Sequence, residues 1–391
     1  MKKYLIIGNG VAGTTAAENI RRHDRNGSIT MLTDEDTPFY YRIRLNELVS
    51  GDIGEKDLLA KKPEWYEREK IDLRTNTTAV GADPVKRLVF TGDEQEFPYD
   101  TLLIATGSHS FVPPIEGATK KGVFTLRSMR DAREISAWAK TARDVVLIGG
   151  GLLGLESGNA LRRLGKRITV VEFFPRLLPR QLDTDGARIL RVIMEGMGFS
   201  FRLGAKTREI AGEERVTGVV LEGGENLRAD MVVISAGVRP NMELAEPLDL
   251  EHDKGIKVDD QLRTSTPGIL AAGDVAEFRG IPYGIWPAAM EQGKIAGTNM
   301  AGGEETYSGT TMSTTLKVVG VDLASAGNID AENRCESKVM IGDRAYKKIV
   351  IDDNRIIGCI MLGDTRAFSR VTRMMSQGED VSSLDLEGLL A

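Results

Sequence analysis

Residues 3–13 read KYLIIGNGVAG, and residues 144–154 read DVVLIGGGLLG. Each stretch is an apolar run, typical of a buried strand, followed by the pattern G-x-G-x-x-G and then by residues with helical periodicity. Strand, tight turn and helix in this order begin a dinucleotide-binding module. Two such stretches predict an α/β fold with two Rossmann-like domains that bind two dinucleotides, or one working copy and one decayed duplicate.

The three glycines of each motif have separate physical roles. Gly8 permits the tight turn, Gly10 lets a pyrophosphate approach the backbone, and Gly13 lets the helix pack on the strand. The same positions of the second motif are occupied by Gly149, Gly151 and Gly154. The start of each helix then offers unpaired N–H groups and a positive dipole end to phosphates. The alternative, glycines that serve packing alone, is weaker for two complete copies than for one.

A second apolar strand follows each helix and ends in an acid. Ser28–Thr33 is followed by Asp34 and Glu35, and Arg167–Val171 is followed by Glu172. These acids fall about 20 residues beyond the glycines, where a carboxylate accepts hydrogen bonds from the ribose hydroxyls of an adenosine. We therefore expect Asp34 or Glu35 to bind ribose in the first module and Glu172 to do so in the second.

Two later apolar runs, at 101–107 and 231–237, end in small-residue turns. Each is apolar enough to be a fully buried parallel strand. Since each run follows one of the two modules, each is predicted to complete a dinucleotide-binding half.

The segment at 266–276 predicts another buried strand, which ends at Gly273 and Asp274. A carboxylate there would bind the ribityl hydroxyls of a flavin, with Gly273 leaving room; a turn acid that caps the next helix is the alternative. Residues 285–299 predict a helix with a proline near its first turn. Its positive end would stabilise the anionic edge of a reduced flavin, although a plain core helix has the same pattern.

Taken in order, these motifs resemble the FAD-dependent pyridine-nucleotide oxidoreductase family over roughly residues 1–300. Within it, the chain is most similar to the NAD(P)H:rubredoxin oxidoreductases. The segments that carry this second resemblance are 39–47, 64–67, 180–183, 273–278 and 382–385. The resemblance implies two cofactors, FAD and NADH, with NADPH as an alternative to NADH.

The resemblance also implies positions for both cofactors. FAD would lie across the first module, with Arg42 near the phosphates or ribityl chain and Asp274 on the ribityl hydroxyls. The nicotinamide dinucleotide would lie across the second module, with Glu156 near the contact between the two rings. Hydride transfer needs no acid or base from the protein, so no catalytic side chain is expected. The remaining cofactor-binding candidates are Val11, Ala12, Val80, Ala105, Thr106, Gly107, Leu152, Leu153, Gly237 and Ala288.

The chain departs from several relatives in its cysteines. Disulfide reductases of this superfamily carry a C-x4-C pair soon after the first module, and peroxide- or coenzyme-A-linked relatives carry one cysteine near positions 42–47. Here those positions read RIRLNE, and the chain's two cysteines are Cys335 and Cys359. Without a thiol at that place, flavin-to-disulfide chemistry is excluded. The ferredoxin-reductase branch is also disfavoured, because it usually has a lysine where Glu47 stands.

Composition narrows the function further. The 391 residues are 41% hydrophobic and 28% charged, as in a globular protein long enough for two or three domains. The net charge of −6 argues against general nucleic-acid binding. No apolar run approaches the ~20 residues of a membrane span, and the N-terminal apolar stretch stops at Gly8. We expect a cytoplasmic protein without membrane contact and, with three scattered histidines, without a metal site.

The sequence also bears on cofactor preference and on the electron acceptor. A carboxylate at Glu172 suits the free 2′-hydroxyl of NADH and repels the 2′-phosphate of NADPH, a preference that Arg176 would soften. The favoured acceptor is a small one-electron carrier protein such as rubredoxin. Arg42, Arg44 and Lys317 would form a basic patch for an acidic carrier, or else are ordinary solvated charges. Alternatives are an NADH oxidase, a diaphorase that feeds a larger partner, and a redox-sensing interaction protein.

Three domains are expected. The FAD-binding domain is predicted at 1–112 and 243–305, the NAD(P)H-binding domain at 113–242, and a small C-terminal α+β domain at 306–391. In the C-terminal domain we predict strands at 310–319, 347–351 and 356–361, a hairpin turn at 352–355, and helices at 368–377 and 384–390. The resemblance implies that this domain covers the flavin and forms an acceptor or dimer surface, so a homodimer is a further expectation.

Overall fold

The computed structural model of the chain describes residues 1–310 and 313–390, and the side chains of all of these except residues 313–318. Three five-stranded sheets organise this part of the chain. Two are parallel and lie where the glycine motifs predict them, and the third is antiparallel and C-terminal. The predicted fold class, two Rossmann-like domains with a small C-terminal domain, is confirmed.

The first part of the chain forms most of the first parallel sheet. Its elements are β1 (Lys3–Ile7), α1 (Val11–His23), β2 (Ser28–Leu32), a 3₁₀ turn (Arg42–Arg44), α2 (Leu45–Ser50), α3 (Glu55–Leu58), α4 (Pro63–Arg68), β3 (Ile71–Arg74), β4 (Ala79–Asp83), β5 (Leu88–Thr91), β6 (Glu96–Pro98), β7 (Thr101–Ile104) and β8 (Ser108–Ser110). Strand β1 pairs in parallel with β2 and β7, and β2 pairs with β3. A small antiparallel sheet, β4-β5-β6, is inserted between β3 and β7.

The second part repeats this plan. Its elements are β9 (Val123–Phe124), α5 (Met129–Ala139), β10 (Asp144–Ile148), α6 (Leu152–Arg163), β11 (Arg167–Glu172), α7 (Thr184–Gly196), β12 (Phe199–Leu203), β13 (Thr207–Ala211), β14 (Gly218–Leu221), β15 (Asn226–Arg228), β16 (Met231–Ile234) and β17 (Val238–Pro240). The parallel sheet has the order β12-β11-β10-β16-β9, and β13-β14-β15 is its inserted antiparallel sheet. The antiparallel pair β8–β17 joins the two modules.

The chain then returns to the first module. Its elements here are β18 (Ile256–Val258), β19 (Ile269–Ala271), β20 (Ala276–Phe278), β21 (Ile281–Pro282) and α8 (Trp286–Met300). Strand β19 pairs with β7 and completes the first parallel sheet. Helix α8 crosses α1 closely, because a Cβ on Gly293 or Gly297 would lie 2.4 Å from the carbonyl oxygen of Ala12 or Ala16. A strand from beyond the second module therefore belongs to the first sheet.

The C-terminal part is a curved antiparallel sheet with two helices. Its elements are β22 (Ser313–Val318), β23 (Val321–Gly327), β24 (Glu336–Ile341), β25 (Tyr346–Asp352), β26 (Arg355–Leu362), α9 (Phe368–Gln377) and α10 (Leu386–Leu390), in the sheet order β22-β23-β26-β25-β24. Thr311 and Met312 of the predicted first strand lie outside the described residues. The other predicted elements are present, although α10 begins two residues late, and β23 and β24 were missed.

The hydrophobic cores show which parts are packed together. One buried cluster contains apolar residues of the second module, such as Leu177 and Leu182, together with Tyr346 and Leu362 of the C-terminal sheet. The C-terminal sheet therefore packs against the second module. The predicted domain boundaries stay a prediction.

Within the described residues, no helix combines the length and the apolarity that crossing a bilayer requires.

Candidate functional site

A cleft with a volume of ≈ 230 Å³ lies at the carboxyl ends of β1, β2, β7 and β19. This edge is where open parallel sheets bind ligands. The predicted cofactor residues that line it are Gly8, Gly10, Val11, Ala12, Asp34, Glu35, Arg42, Ala105, Thr106, Gly107, Leu153, Gly273 and Asp274. The first module's motifs are thus brought together in one cavity, and Leu153 extends its wall to helix α6 of the second module.

The three glycines of the first module have different roles: two are needed for packing, and one borders the space open to a ligand. Gly8 has φ +113°, and a Cβ there would lie 2.0 Å from the carbonyl oxygen of Ala105. At Gly13 a Cβ would lie 2.0 Å from the Gly8 carbonyl oxygen. At Gly10 it would meet nothing within 4 Å, and no side chain caps helix α1 there. Gly8 and Gly13 are therefore required by packing, whereas Gly10 borders open space beside N–H groups that an anion can use.

Glu35 is bound on both carboxylate oxygens by neighbouring side chains. Arg42 donates to its Oε1 at 2.6 Å, and the Tyr40 hydroxyl donates to its Oε2 at 2.5 Å. Arg42 also donates to the Arg127 carbonyl oxygen, and burial raises the pKa of Tyr40. Asp34 lines the cleft beside them. Since each carboxylate oxygen has a second lone pair, Glu35 keeps the capacity to accept from a ribose hydroxyl.

Asp274 has partners that the sequence did not reveal. Its Oδ2 accepts hydrogen bonds from Ser108 Oγ at 2.7 Å and from Arg127 at 2.8 Å. Arg127 donates in addition to the Ser108 carbonyl oxygen at 2.9 Å. The S-x-x-D capping box at Ser128–Asp131 marks the helix start beside Arg127. That signal indicates where Arg127 sits along the chain, but not that it reaches Asp274.

Val80 and Ala288 are among the predicted cofactor residues that do not line the cleft. Val80 is 58% exposed on β4, where the pairing with β5 shifts register between Ala79 and Gly81 and leaves Val80 as the unpaired residue of a bulge. Ala288 is 1% exposed and buried in the core, while Trp286 and Ala289 of the same helix line the cleft. The helix start thus borders the cleft as predicted, but through different side chains. The cleft gives neither Val80 nor Ala288 support as a cofactor contact.

Many lining residues were missed by motif reasoning. They are Asn9, Thr33, Thr37, Pro38, Phe39, Tyr40, Ile43, Leu45, Asn46, Ser108, Leu126, Arg127, Ser157, Ala272, Gly284, Ile285, Trp286 and Ala289. Several fall in the segment 37–46, of which only residues 39–46 had been marked, and by the family resemblance alone. Within it, Tyr41 stacks on Trp286 with ring centroids 5.9 Å apart, and Phe39 lies 6.0 Å from the same ring. These contacts join distant segments, so no local pattern predicts them.

The second module repeats the glycine geometry. Gly149 has φ +117°, and a Cβ there would lie 2.2 Å from the Ser235 carbonyl oxygen. At Gly154 a Cβ would lie 2.5 Å from the Gly149 carbonyl oxygen, and at Gly151 it would meet nothing within 4 Å. Leu152 begins helix α6, and Gly237, with φ +102°, follows the closing strand. This turn is therefore as open to a pyrophosphate as the first.

Glu172 lies at the end of β11, 6% exposed, beside this turn. Its Oε2 accepts from the Gly150 N–H and its Oε1 accepts from the Phe174 N–H at 2.8 Å. Both oxygens retain lone pairs for ribose hydroxyls. Arg176 does not face Glu172's ribose position: it donates to the carbonyl oxygens of Leu182 and Pro179, both at 3.3 Å. The structure thus gives no support to its predicted softening of the NADH preference.

Glu156 lies on α6, one turn from Leu153 and next to Ser157, which both line the cleft. Its Oε1 accepts a hydrogen bond from the Val319 N–H at 2.7 Å. Burial raises the pKa of Glu156, and the hydrogen bond from Val319 opposes this rise. Glu156 is therefore placed at the boundary between the two modules and the C-terminal sheet, close to where the rings of two bound cofactors were predicted to meet.

Two of the three charges of the predicted basic patch are paired within the protein. Arg42 is paired with Glu35 at 2.6 Å, and Arg44 with Glu47 at 2.7 Å. The side chain of Lys317 lies outside the described side chains. Pairing of Arg42 and Arg44 within the protein weakens the electrostatic argument for an acidic carrier at this surface, so such docking stays a prediction.

Two observations indicate that the cleft of the first module fits FAD. Thr37 Oγ1, on its wall, is buried without a hydrogen-bond partner among the described residues, and a buried hydroxyl in that state needs one. The uncapped start of α1 at Gly10 meets the open space of the same cleft. The residues that would hold the group are Gly10 for the pyrophosphate, Glu35 for the adenosine ribose and Asp274 for the ribityl chain.

The chain belongs to the pyridine nucleotide-disulphide oxidoreductase family, which it matches over residues 2–293. FAD and NADH are the cofactors of this family. Residues 313–379 match the rubredoxin NAD⁺ reductase C-terminal domain. These matches confirm the family and cofactors that the sequence motifs predicted.

Relatives with different names share most of this chain. It is 38% identical over 385 residues to a nitrite reductase [NAD(P)H] of Bacillus subtilis, with 97% of the chain but 48% of that relative covered. It is 33% identical to an NADH oxidase of Methanocaldococcus jannaschii, with 95% and 90% covered. It is 32% identical to an NADH-rubredoxin oxidoreductase of Clostridium acetobutylicum, with 98% and 97% covered. A crystal structure of NADH:rubredoxin oxidoreductase from that organism superposes with a TM-score of 0.86 at 29% identity, covering 99% of this chain and 98% of the other.

The chain spans about half the length of the first curated relatives that it matches, for example 48% of the nitrite reductase and 50% of an assimilatory nitrate reductase electron transfer subunit.

Proposed function

We propose that the protein oxidises NADH through bound FAD and passes the electrons to a small one-electron carrier protein such as rubredoxin. The observation that carries this proposal is the cleft itself, whose wall combines the first module's motifs with Leu153 and Ser157 of the second. Two cofactors held by the two glycine turns would thus meet at helix α6. When bound, FAD supplies a ring system that accepts hydride and can give electrons away singly.

The nicotinamide dinucleotide is proposed to bind at the Gly149–Gly154 turn. Gly151 would face its pyrophosphate, and Glu172 would accept from the ribose hydroxyls. Because Glu172 is buried and fixed by two backbone N–H groups, a 2′-phosphate would meet a carboxylate that cannot move aside. We therefore propose NADH rather than NADPH as the preferred donor.

The positions of the cysteines support an external acceptor. Neither Cys335 nor Cys359 lines the cleft, and both belong to the C-terminal part of the chain. Burial raises the pKa of Cys359 to about 12, which leaves its thiol protonated and unreactive near neutral pH. With no thiol beside the flavin position, electrons are expected to leave directly to another molecule. The match to the rubredoxin reductase C-terminal domain favours a small carrier protein.

A second candidate is electron delivery to a larger partner. The nitrite reductase relative matches over nearly the whole of this chain and is about twice as long. In that arrangement the two modules and the C-terminal sheet would serve as the NADH-oxidising part of a larger assembly. Dioxygen is a third acceptor to test, because a relative that matches over most of both chains is named NADH oxidase.

Stopped-flow reoxidation separates these acceptors. The FAD-loaded protein is reduced with one equivalent of NADH without oxygen and then mixed with oxidised rubredoxin, with air-saturated buffer or with buffer alone. We expect reoxidation by rubredoxin to be roughly tenfold or more faster than by air, and to slow as salt rises if charge steers the encounter. Equal rates with air and rubredoxin would instead favour an oxidase. Slow reoxidation by both would favour the larger partner.

A further inference from the structure

The C-terminal sheet contacts the second module through a buried polar cluster, which consists of Asp183, Tyr346 and Lys348. Asp183 is 1% exposed, Tyr346 is 1% exposed and Lys348 is 0% exposed. The Asp183 Oδ2 accepts from the Tyr346 hydroxyl at 2.5 Å and from Lys348 Nζ at 3.2 Å. A buried carboxylate and ammonium are costly to desolvate, so a cluster of this kind requires such pairing.

The same aspartate begins a helix of the second module. Asp183 Oδ1 accepts from the Gly186 N–H at 3.0 Å and caps α7. At Gly186 an added Cβ would lie 3.1 Å from the Tyr346 ring, so the glycine makes room for that side chain. One carboxylate thus uses one oxygen to start a helix of the second module and the other to bind the C-terminal sheet.

Residues 173–182 connect Asp183 to the nucleotide site. The segment begins directly after Glu172 and contains Leu177 and Leu178, both 0% exposed. The Leu178 N–H donates to the Gly150 carbonyl oxygen at 3.2 Å, and Leu177 packs beside Gly150. The Gly150 N–H in turn donates to Glu172. The segment is therefore fixed at one end by the phosphate-binding turn and at the other by Asp183.

We propose that Asp183, held by Tyr346 and Lys348, is a positioning residue for the nicotinamide dinucleotide. By anchoring residues 173–182, the C-terminal sheet would hold the Gly149–Gly154 turn and Glu172 in the arrangement that binds NADH. Burial, with Asp183 as a further cause, raises the pKa of Tyr346, so its hydroxyl stays protonated and donates. The inference rests on the proposed binding of NADH at this turn, and it assigns the C-terminal sheet a role in donor binding.

The neighbouring lysine provides a matched control. Lys347 is 4% exposed and lies on the opposite face of β25 from Lys348. Its Nζ donates to Asp364 at 2.7 Å and to the Leu390 carbonyl oxygen at 2.6 Å, both within the C-terminal part. Lys347→Met therefore removes a buried charge from the same strand without touching Asp183.

The experiment compares Tyr346→Phe, Lys348→Met, Lys347→Met and Glu172→Ala in the FAD-loaded protein. Ferricyanide serves as the acceptor, so docking of a carrier protein plays no part. We expect Tyr346→Phe and Lys348→Met to raise the KM for NADH roughly 2- to 30-fold with little change in kcat and in FAD content. Lys347→Met should leave the KM unchanged even where it lowers the melting temperature.

The outcomes separate the inference from the function on which it rests. A raised KM in Glu172→Ala, together with an unchanged KM in both Tyr346→Phe and Lys348→Met, would overturn the positioning role and leave the nucleotide site intact. An unchanged KM in Glu172→Ala would overturn the proposed role of Glu172 in binding NADH and, with it, the arrangement that Asp183 is inferred to hold. If Lys348→Met does not fold, Tyr346→Phe decides alone, because it removes one hydroxyl and keeps the ring. An equal rise of KM in Lys347→Met would also contradict the inference.

Discussion

The two dinucleotide modules have the same turn but different surroundings. Gly8 and Gly149 have φ values of +113° and +117°, and an added Cβ would approach a carbonyl oxygen to 2.0 Å and 2.2 Å, respectively. The Gly8 N–H donates to the Leu32 carbonyl oxygen, and the Gly149 N–H donates to the Val171 carbonyl oxygen, both at 2.8 Å. The turn is thus the same in both modules, and in each it packs against a carbonyl oxygen just beyond a later strand of the same sheet, that of Ala105 or Ser235.

What closes each module comes from elsewhere in the chain. The first is covered by residues 37–46 and by the start of α8, which arrives nearly 280 residues after Gly8 in the sequence. The second is covered by its own segment 173–182, which the C-terminal sheet holds through Asp183. The comparison indicates that two similar glycine turns differ in the segments packed around them, and the proposed difference in cofactor would arise from those segments.

The largest effect is expected at the first glycine of each motif. Gly8→Ala and Gly149→Ala each force a side chain into the left-handed region and against a carbonyl oxygen, so we expect the free energy of unfolding to fall by about 4 kcal/mol or more. Urea unfolding of both variants measures this. Gly165→Ala is the control, since Gly165 has φ +76° but open space around a Cβ; its cost should be about 1 kcal/mol. Equal costs for all three would show that the clash is relieved without penalty.

The second glycine of each motif should separate the two sites by cofactor. Gly10→Ala and Gly151→Ala place a methyl group in open space, so the free energy of unfolding of the apoprotein should change by less than about 1 kcal/mol. Gly10→Ala is expected to weaken FAD binding roughly tenfold, a loss of about 1.4 kcal/mol. Gly151→Ala should instead raise the KM for NADH to a similar extent. Apoprotein titration with FAD and steady-state kinetics provide the two readouts.

This assignment would be contradicted if each variant affected the cofactor of the other module. If Gly10→Ala changed the KM for NADH while FAD stayed fully bound, the first module would not be the FAD site. Loss of FAD in Gly151→Ala with an unchanged KM would be equally contradictory.

A smaller effect is expected from the acid of the second module. Glu172→Ala removes the carboxylate that is proposed to bind ribose, so the NADH to NADPH ratio of kcat/KM should fall roughly tenfold. Glu172→Gln separates charge from hydrogen bonding, because its amide oxygen can still accept from a backbone N–H. An unchanged ratio in both variants would show that Glu172 serves only the turn.

The smallest expected effect concerns pH and Glu156. Burial raises the pKa of Glu156 above its unfolded value of 4.5, so the folded state binds more protons than the unfolded state between the two values. Stability from this group is therefore present below pH 4.5 and is lost as the pH rises through the folded pKa. Glu156→Gln should lack this part of the decline. Urea unfolding at several pH values from 4 to 7 tests it, and parallel curves for both proteins would contradict it.

Much of the site could be predicted because the first module's ligand-facing residues follow its strands directly. Gly10, Glu35, Thr106 and Asp274 all line the cleft as expected, each at or just beyond the carboxyl end of a predicted strand. Arg127 could not be predicted, because its contact with Asp274 spans 147 positions of sequence. Val80 and Ala288 were placed by resemblance alone, and neither lines the cleft.

In the C-terminal part, too, packing decides the partners of residues that the sequence does not distinguish. Adjacent lysines, Lys347 and Lys348, look alike in the sequence. Strand alternation sends one to Asp364 and the other to Asp183, and only the packing of the sheet on the second module decides which is which.

The sequence by itself determined the two strand–turn–helix modules, because each motif consists of residues a few positions apart. The order of the motifs gave the cofactor class. The sequence also shows directly that no cysteine lies at positions 42–47. The tertiary structure decided which side chains complete each site and which charges are already paired. The contacts of Arg127 with Asp274 and of Tyr346 with Asp183 join segments more than a hundred residues apart, where chain folding rather than local conformation brings partners together.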